Sequence, residues 1–147
     1  MGNNVLVILP LQGRTVLSPS DAEALDAAAE FAARFDGELS CLLLSNQPEA
    51  VAEETLSFPI DSVFTMRDER FGSWSGDLVV ASAAECVRAT DARFVILGRD
   101  IATLELAPRL AARLSGASVV GVTNVDAGDG GAVLVEATAF GGAARAT

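Results

Sequence analysis

The chain contains no histidine and no tyrosine. Without imidazole it lacks the commonest general base near neutral pH and the commonest transition-metal ligand, which argues against autonomous hydrolytic chemistry and against a zinc centre. A Ser-His-Asp triad cannot be built, and Ser73, Ser75 and Ser118 stand outside any nucleophile-elbow pattern. Cysteine is nearly as scarce. Cys41 sits in the apolar run Cys41-Leu42-Leu43-Leu44 and Cys86 in a helical pattern, so both read as small buried hydrophobes rather than a disulfide or a metal pair. No apolar run approaches the roughly 18 residues of a membrane span. The N-terminus also lacks the charged start and small-residue cleavage site of a signal peptide, so a cytoplasmic protein without membrane insertion is expected.

Positive charge is also short: ten basic residues, all arginine, face 20 acidic ones, for a formal net charge of −10. Such a surface repels nucleic acid and anionic lipid, and neither is an expected partner. Phosphate cradles are missing as well. No Walker loop and no glycine-rich fingerprint joins the first apolar run to the first helix; Pro10-Leu11-Gln12-Gly13-Arg14 offers one glycine and one arginine. Asp100 and Glu105 flank one turn, yet nothing beside them supplies a nucleophile or further metal ligands. Capping of a helix by Asp100 or Thr103, with an acid in its first turn, accounts for them. No catalytic, cofactor-binding or metal-binding residue is therefore assigned.

What the chain does have is apolar periodicity: 147 residues, half of them hydrophobic, make one domain large enough to bury a substantial core. Phe94-Val95-Ile96-Leu97 is a short run without alternation, which predicts a strand buried on both faces. Beyond Gly98-Arg99-Asp100 the period changes, and Leu106, Leu110 and Leu114 mark one stripe of a helix with Arg109 and Arg113 opposite. Pro108 places the regular turns after itself, or a bend there, and Gly116 ends them.

The same strand-helix unit recurs along the chain. Asn4 to Leu9 reads as a central strand; Ser20 and Glu23 have capping-box spacing for a helix running to Phe35, with Gly37 as its left-handed stop. Glu38 to Ser45 gives a second strand, Glu49 to Thr55 a short helix, and Ile60 to Thr65 a third strand. Met66 to Gly76 reads as a long polar loop, with Trp74, the single tryptophan, partly buried beneath it. Asp77 to Thr90 is helical in pattern. Ala117 to Val125 and Val133 to Ala139 read as strands joined by the tight turn Asp126 to Gly131.

This order predicts an α/β fold: a three-layer, open, mostly parallel sheet with helices on both faces, Rossmann-like or adenine nucleotide alpha hydrolase-like, closed by a C-terminal hairpin strand. Ligands of such sheets lie where the strand order reverses. Here that crevice would be walled by Pro10 to Gly13 and Gly98 to Thr103.

The run LAPRLAARL (Leu106 to Leu114), the opening strand Val5-Leu6-Val7-Ile8, Leu17-Ser18-Pro19 before the first helix, Asp91 to Gly98, and the closing Phe140-Gly141-Gly142 carry a likeness to a known family. Over nearly its whole length the chain resembles the N-terminal domain of the electron transfer flavoprotein alpha subunit. It departs where that family often has Gly-Arg-Asp before the LAPRL stretch, here Thr103-Leu104-Glu105, and at Ala137-Thr138 and Ala143 near the end. The resemblance implies a flavoprotein in which this domain packs on a similarly folded beta subunit, with an acyl-CoA or other flavin dehydrogenase as electron donor to the complex. It also implies that FAD is held chiefly by a second alpha-subunit domain, one that would begin about where this sequence ends. The expected role of residues 1–147 is then a non-catalytic platform. The residues alone leave a second class open, a small ATP- or AMP-binding module of universal-stress-protein type using the crevice, and a third, a domain that only dimerises.

Overall fold

The computed structural model describes residues 2–139 and 144–146. Strand β1 (Val5–Pro10) is buried at every position and pairs in parallel with β2 (Leu39–Ser45) on one side and β4 (Phe94–Ile96) on the other. Strand β3 (Ser62–Arg67) adds to the far side of β2, giving the all-parallel order β3-β2-β1-β4. Between them run α1 (Pro19–Arg34), α2 (Glu49–Thr55), α3 (Gly76–Thr90) and α4 (Ile101–Leu114). The predicted α/β class holds.

The pleat divides the core in two. Val5, Val7 and Leu9 of β1, with Cys41 and Leu43 of β2, pack against Leu25, Ala28, Phe31 and Ala32 of α1. Leu6, Ile8, Leu42 and Leu44 point the other way, onto Val79, Val80 and Ala83 of α3 and onto Leu106 and Leu110 of α4. Burial on both faces is why these strands read as unbroken apolar runs. Cys41 and Cys86 are both free and buried, one in each core, so the sheet separates them. Burial first, then the Asp21 charge, pushes the Cys41 thiol far above its ordinary range.

Four expectations are corrected. Phe94 to Leu97 is not a strand buried on both faces: β4 is a three-residue edge strand, half-buried throughout. Ala117 to Val125 does not extend the parallel sheet either. Strand β5 (Val122–Ala127) instead pairs antiparallel with β6 (Val133–Ala139), which pairs with β7 (Ala144–Ala146), in a separate three-stranded sheet. The β5–β6 hairpin was expected; β7 was not, and the closing Phe140-Gly141-Gly142 and Ala143 lie outside the described residues. What covers one face of β4 is aromatic: Phe31 and Phe94 lie 4.9 Å apart between ring centroids, and Phe35 is 4.6 Å from Phe31.

Third, α1 is capped by Ser18 and not Ser20. The Asp21 amide donates to Ser18 Oγ at 3.1 Å, the Ser18 amide donates to Asp21 Oδ2 at 2.9 Å, and Pro19 fills the first turn, where its missing N–H has no helical role. The left-handed residue closing α1 is Asp36 (φ 52), and that closing α4 is Ser115 (φ 56), in place of Gly37 and Gly116. Fourth, α4 starts well before Pro108. Asp100 and Thr103 form a capping box that sets the first turn. Pro108 lies on the exposed side, so the Leu104 carbonyl it leaves without a helical donor lies toward water.

The stretch Met66 to Gly76 is also more ordered than a loop. β3 runs on to Arg67, and a 3-10 turn over Glu69–Gly72 buries Phe71. No described helix is long and apolar enough to cross a membrane.

Candidate functional site

The strand order reverses between β1 and β4, because β1 leads through α1 to β2 on one side while β4 is reached from β3 through α3 on the other. The crevice beyond their carboxyl ends is the candidate site of this architecture. An open cleft of about 530 Å³ lies there, lined by Gln12, Trp74, Arg99, Asp100, Ile101, Ala102 and Glu105. Both expected walls are present, and Trp74 and Glu105 add a third.

The first wall is shaped by backbone. Gln12 (φ 52) and Gly13 (φ 80) are both left-handed, which turns the chain back sharply after Leu11. A Cβ on Gly13 would stand 2.8 Å from the Gly72 carbonyl oxygen, so only glycine lets the 3-10 turn close against this loop. Arg14 is drawn out of the crevice: its guanidinium pairs with the buried carboxylate of Asp21, with Nη2 also 3.3 Å from Oδ1.

The second wall is anchored to α1. The Arg99 amide donates to Ser20 Oγ at 2.9 Å, and the Arg99 guanidinium pairs with Glu23 at 2.9 Å. Glycine suits position 98 because a Cβ would stand 2.6 Å from Ser20 Oγ and push that hydroxyl off the Arg99 amide. Ser20 and Glu23, expected as a capping pair, thus fasten the β4–α4 turn to α1. Thr103 Oγ1 donates to the Gly98 carbonyl at 2.7 Å, so the capping box also closes the turn.

Trp74 is half-buried, as expected, and packs against the α3/α4 core. Its Nε1 donates to Glu105 Oε2 at 3.0 Å, while Arg109 donates to Glu105 Oε1 at 2.9 Å and pairs with Asp77. Glu105 therefore ties the loop to α4, and Arg109 carries the network on to α3. Sequence reasoning had no signal for that contact, although the Glu105/Arg109 spacing of four was legible.

The chemistry available is limited. Asp100 is engaged in capping, Glu105 in bracing, and the crevice arginines Arg14 and Arg99 each hold a carboxylate. Among the described residues no group of three or more acidic, cysteine or histidine side chains is placed to hold a metal. Ser118 is exposed, away from the crevice lining, and among the described residues Ser73 and Ser75 have no basic partner.

Residues 5–147 match the electron transfer flavoprotein domain family. The chain belongs to that family. It is 28% identical over 126 residues to an electron transfer flavoprotein subunit alpha of Clostridium acetobutylicum, and 23% identical over 125 residues to one of Thermoanaerobacterium thermosaccharolyticum. Each alignment covers 85% of this chain and 38% of the relative, so the chain spans well under half the length of the relatives it matches.

A family named for a flavin raises the question of whether this crevice suits one. A flavin dinucleotide brings a pyrophosphate, which needs backbone donors on a glycine-rich turn or an unengaged cation. Here the turn holds a single glycine, both arginines are paired, and Asp100 and Glu105 stand on the rim. The residues of the crevice do not fit FAD.

Proposed function

We propose that this chain is the non-catalytic N-terminal domain of an electron transfer flavoprotein alpha-like subunit. It packs on a beta-type subunit and supports FAD-mediated electron transfer from a dehydrogenase, the flavin being held by other segments. The observation that carries this reading is the family match across residues 5–147, together with alpha-subunit relatives along 85% of the chain.

Two structural features support it. The crevice has no group free for acid–base work or for anchoring a pyrophosphate, which suits a scaffold. Large exposed apolar side chains also concentrate late in the chain, at Ile101, Leu104, Val119, Val120, Val122 and Leu134. Exposed apolar side chains in such number suit contact with another protein more than a small-molecule site.

The test is co-purification with a beta-type subunit and a flavin-binding alpha segment. The complete assembly should show the visible absorption of a flavin, and the 147-residue chain alone should be colourless. A flavin-free assembly, or a coloured isolated chain, overturns the proposal.

A further inference from the structure

The parallel sheet ends on one side at β3, and its outer edge is open. Among the described residues β3 pairs only with β2, over six positions from Ser40↔Ser62 to Ser45↔Arg67. The strand has neither proline nor a bulge, two of the devices that protect such an edge from other strands. The opposite edge strand, β4, is only three residues long. Beside β3 lies a groove of about 370 Å³ whose lining includes the apolar Phe64, Met66, Cys86 and Ala89 and the acids Glu38 and Glu85, and Phe64 is 41% exposed in it.

We propose that this edge receives a second copy of the chain, β3 pairing antiparallel with β3 about a two-fold axis at Phe64. The register follows from the peptide directions. The Asp61 amide donates inward to the Leu39 carbonyl at 2.9 Å, so by alternation residues 63, 65 and 67 also face β2, while Ser62, Phe64 and Met66 present their N–H and C=O groups outward. An antiparallel partner must place outward residues opposite outward residues. Centring the axis on Phe64 meets this condition, setting Phe64 against Phe64 and Ser62 against Met66 of the other copy.

Charge selects the same register. Phe64-on-Phe64 pairing sets Asp61 opposite Arg67 of the second copy, and symmetry repeats the contact. Both residues are exposed; Asp61 Oδ2 accepts from the Leu39 amide at 2.8 Å and Arg67 pairs with Glu49, so the contact across the axis adds a second partner to each. Moving the axis to residue 63 would bring Pro59 opposite Arg67, and moving it to residue 65 would set Ser62 against Asp68; either shift loses the Asp61–Arg67 contacts. The two Phe64 rings meet over the paired grooves, burying apolar surface that each copy leaves wet. This edge lies across the sheet from β4 and does not use the apolar residues proposed above for a beta-type subunit, so the two contacts are independent.

The experiment is sedimentation or light scattering of the 147-residue chain across a concentration series, with thermal melts to confirm folding of each variant. The wild type should reach the mass of a dimer. Arg67→Asp sets like charges opposite each other twice and should raise the dissociation constant about tenfold or more. Ser62→Pro removes an outward N–H while sparing the ladder to β2, and should give a folded monomer. A wild type that stays monomeric at its highest soluble concentration overturns the proposal, as does a dimer indifferent to both substitutions.

Discussion

Trp74 Nε1 donates to Glu105 Oε2 at 3.0 Å, joining the segment after β3 to α4 across 31 residues of chain. The same carboxylate accepts from Arg109 at 2.9 Å, so a single acid holds both an indole and a guanidinium. Because Trp74 is the only tryptophan and there is no tyrosine, its emission reports this one contact. Glu105→Ala should shift the emission to longer wavelength and make it easier to quench with a soluble quencher. The pair is solvent-accessible, so the cost in stability should be only about 1 kcal/mol. An unchanged spectrum would mean that packing alone holds the indole.

Asp21 is one of the few buried polar residues of the described structure, and each of its carboxylate oxygens has a partner. It is 2% exposed, completes the Ser18 capping box and pairs with Arg14. Asp21→Ala keeps the N-cap bond, because the residue-21 amide still donates to Ser18 Oγ, but it removes the acceptor of the Ser18 amide and the ion pair together; Arg14 is 32% exposed and can turn to water. We expect a loss of about 2 kcal/mol, about 1 from the Ser18 amide left without its acceptor and the remainder from the partly buried pair. Urea denaturation measures it. Asp21→Asn keeps an oxygen for the Ser18 amide and should lose less; equal losses would assign the whole effect to charge.

How far these contacts could be read from residues alone varies by position. β1 and β2 were legible because Val5 to Leu9 and Cys41 to Leu44 are apolar without alternation, the mark of strands covered on both faces. β4 has the same apolar signature, yet Phe94 to Ile96 lies at the rim: local composition does not reveal that the following strand pairs elsewhere. At α1 two capping spacings compete, Ser18/Asp21 and Ser20/Glu23. Pro19 decides between them by fitting the first turn, a signal present in the sequence. The two crevice loops followed from topology. The pairing of Arg14 with the buried Asp21, which withdraws that cation from the crevice, and of Arg99 with Glu23 is tertiary and has no local signature.

Asp68 gives a pH prediction. Hydrogen bonds from the Arg70 side chain, and then from the Arg70 backbone amide, hold its carboxyl down at about 2. The folded value lies below the ordinary one near 3.9, so the interaction contributes fully above that pH and is lost as pH falls through about 2. The 3-10 turn that Asp68 caps, with Phe71 buried beneath, should therefore loosen only in strong acid. Carboxyl-carbon NMR titration should follow Asp68 to its low midpoint, and Arg70→Ala should return it toward the ordinary value. A wild-type midpoint near 3.9 would show that Arg70 does not hold the carboxylate in solution.

The nucleotide reading makes a prediction opposite to that of a scaffold. A phosphate entering the crevice must either break Arg99 from Glu23 or draw Arg14 off the buried Asp21, and it must approach the carboxylates of Asp100 and Glu105. Releasing Arg14 leaves the buried Asp21 unpaired, and Arg99, whose pair with Glu23 is exposed, would bring any phosphate up against the Asp100 and Glu105 carboxylates. ATP and AMP at millimolar concentration should therefore leave the melting temperature unchanged. A ligand at about 100 times its dissociation constant would add about 2.7 kcal/mol and raise the melting temperature visibly. Should such a rise appear, Arg99→Ala separates its sources: loss of the shift would place the nucleotide in the crevice, and persistence would place it elsewhere.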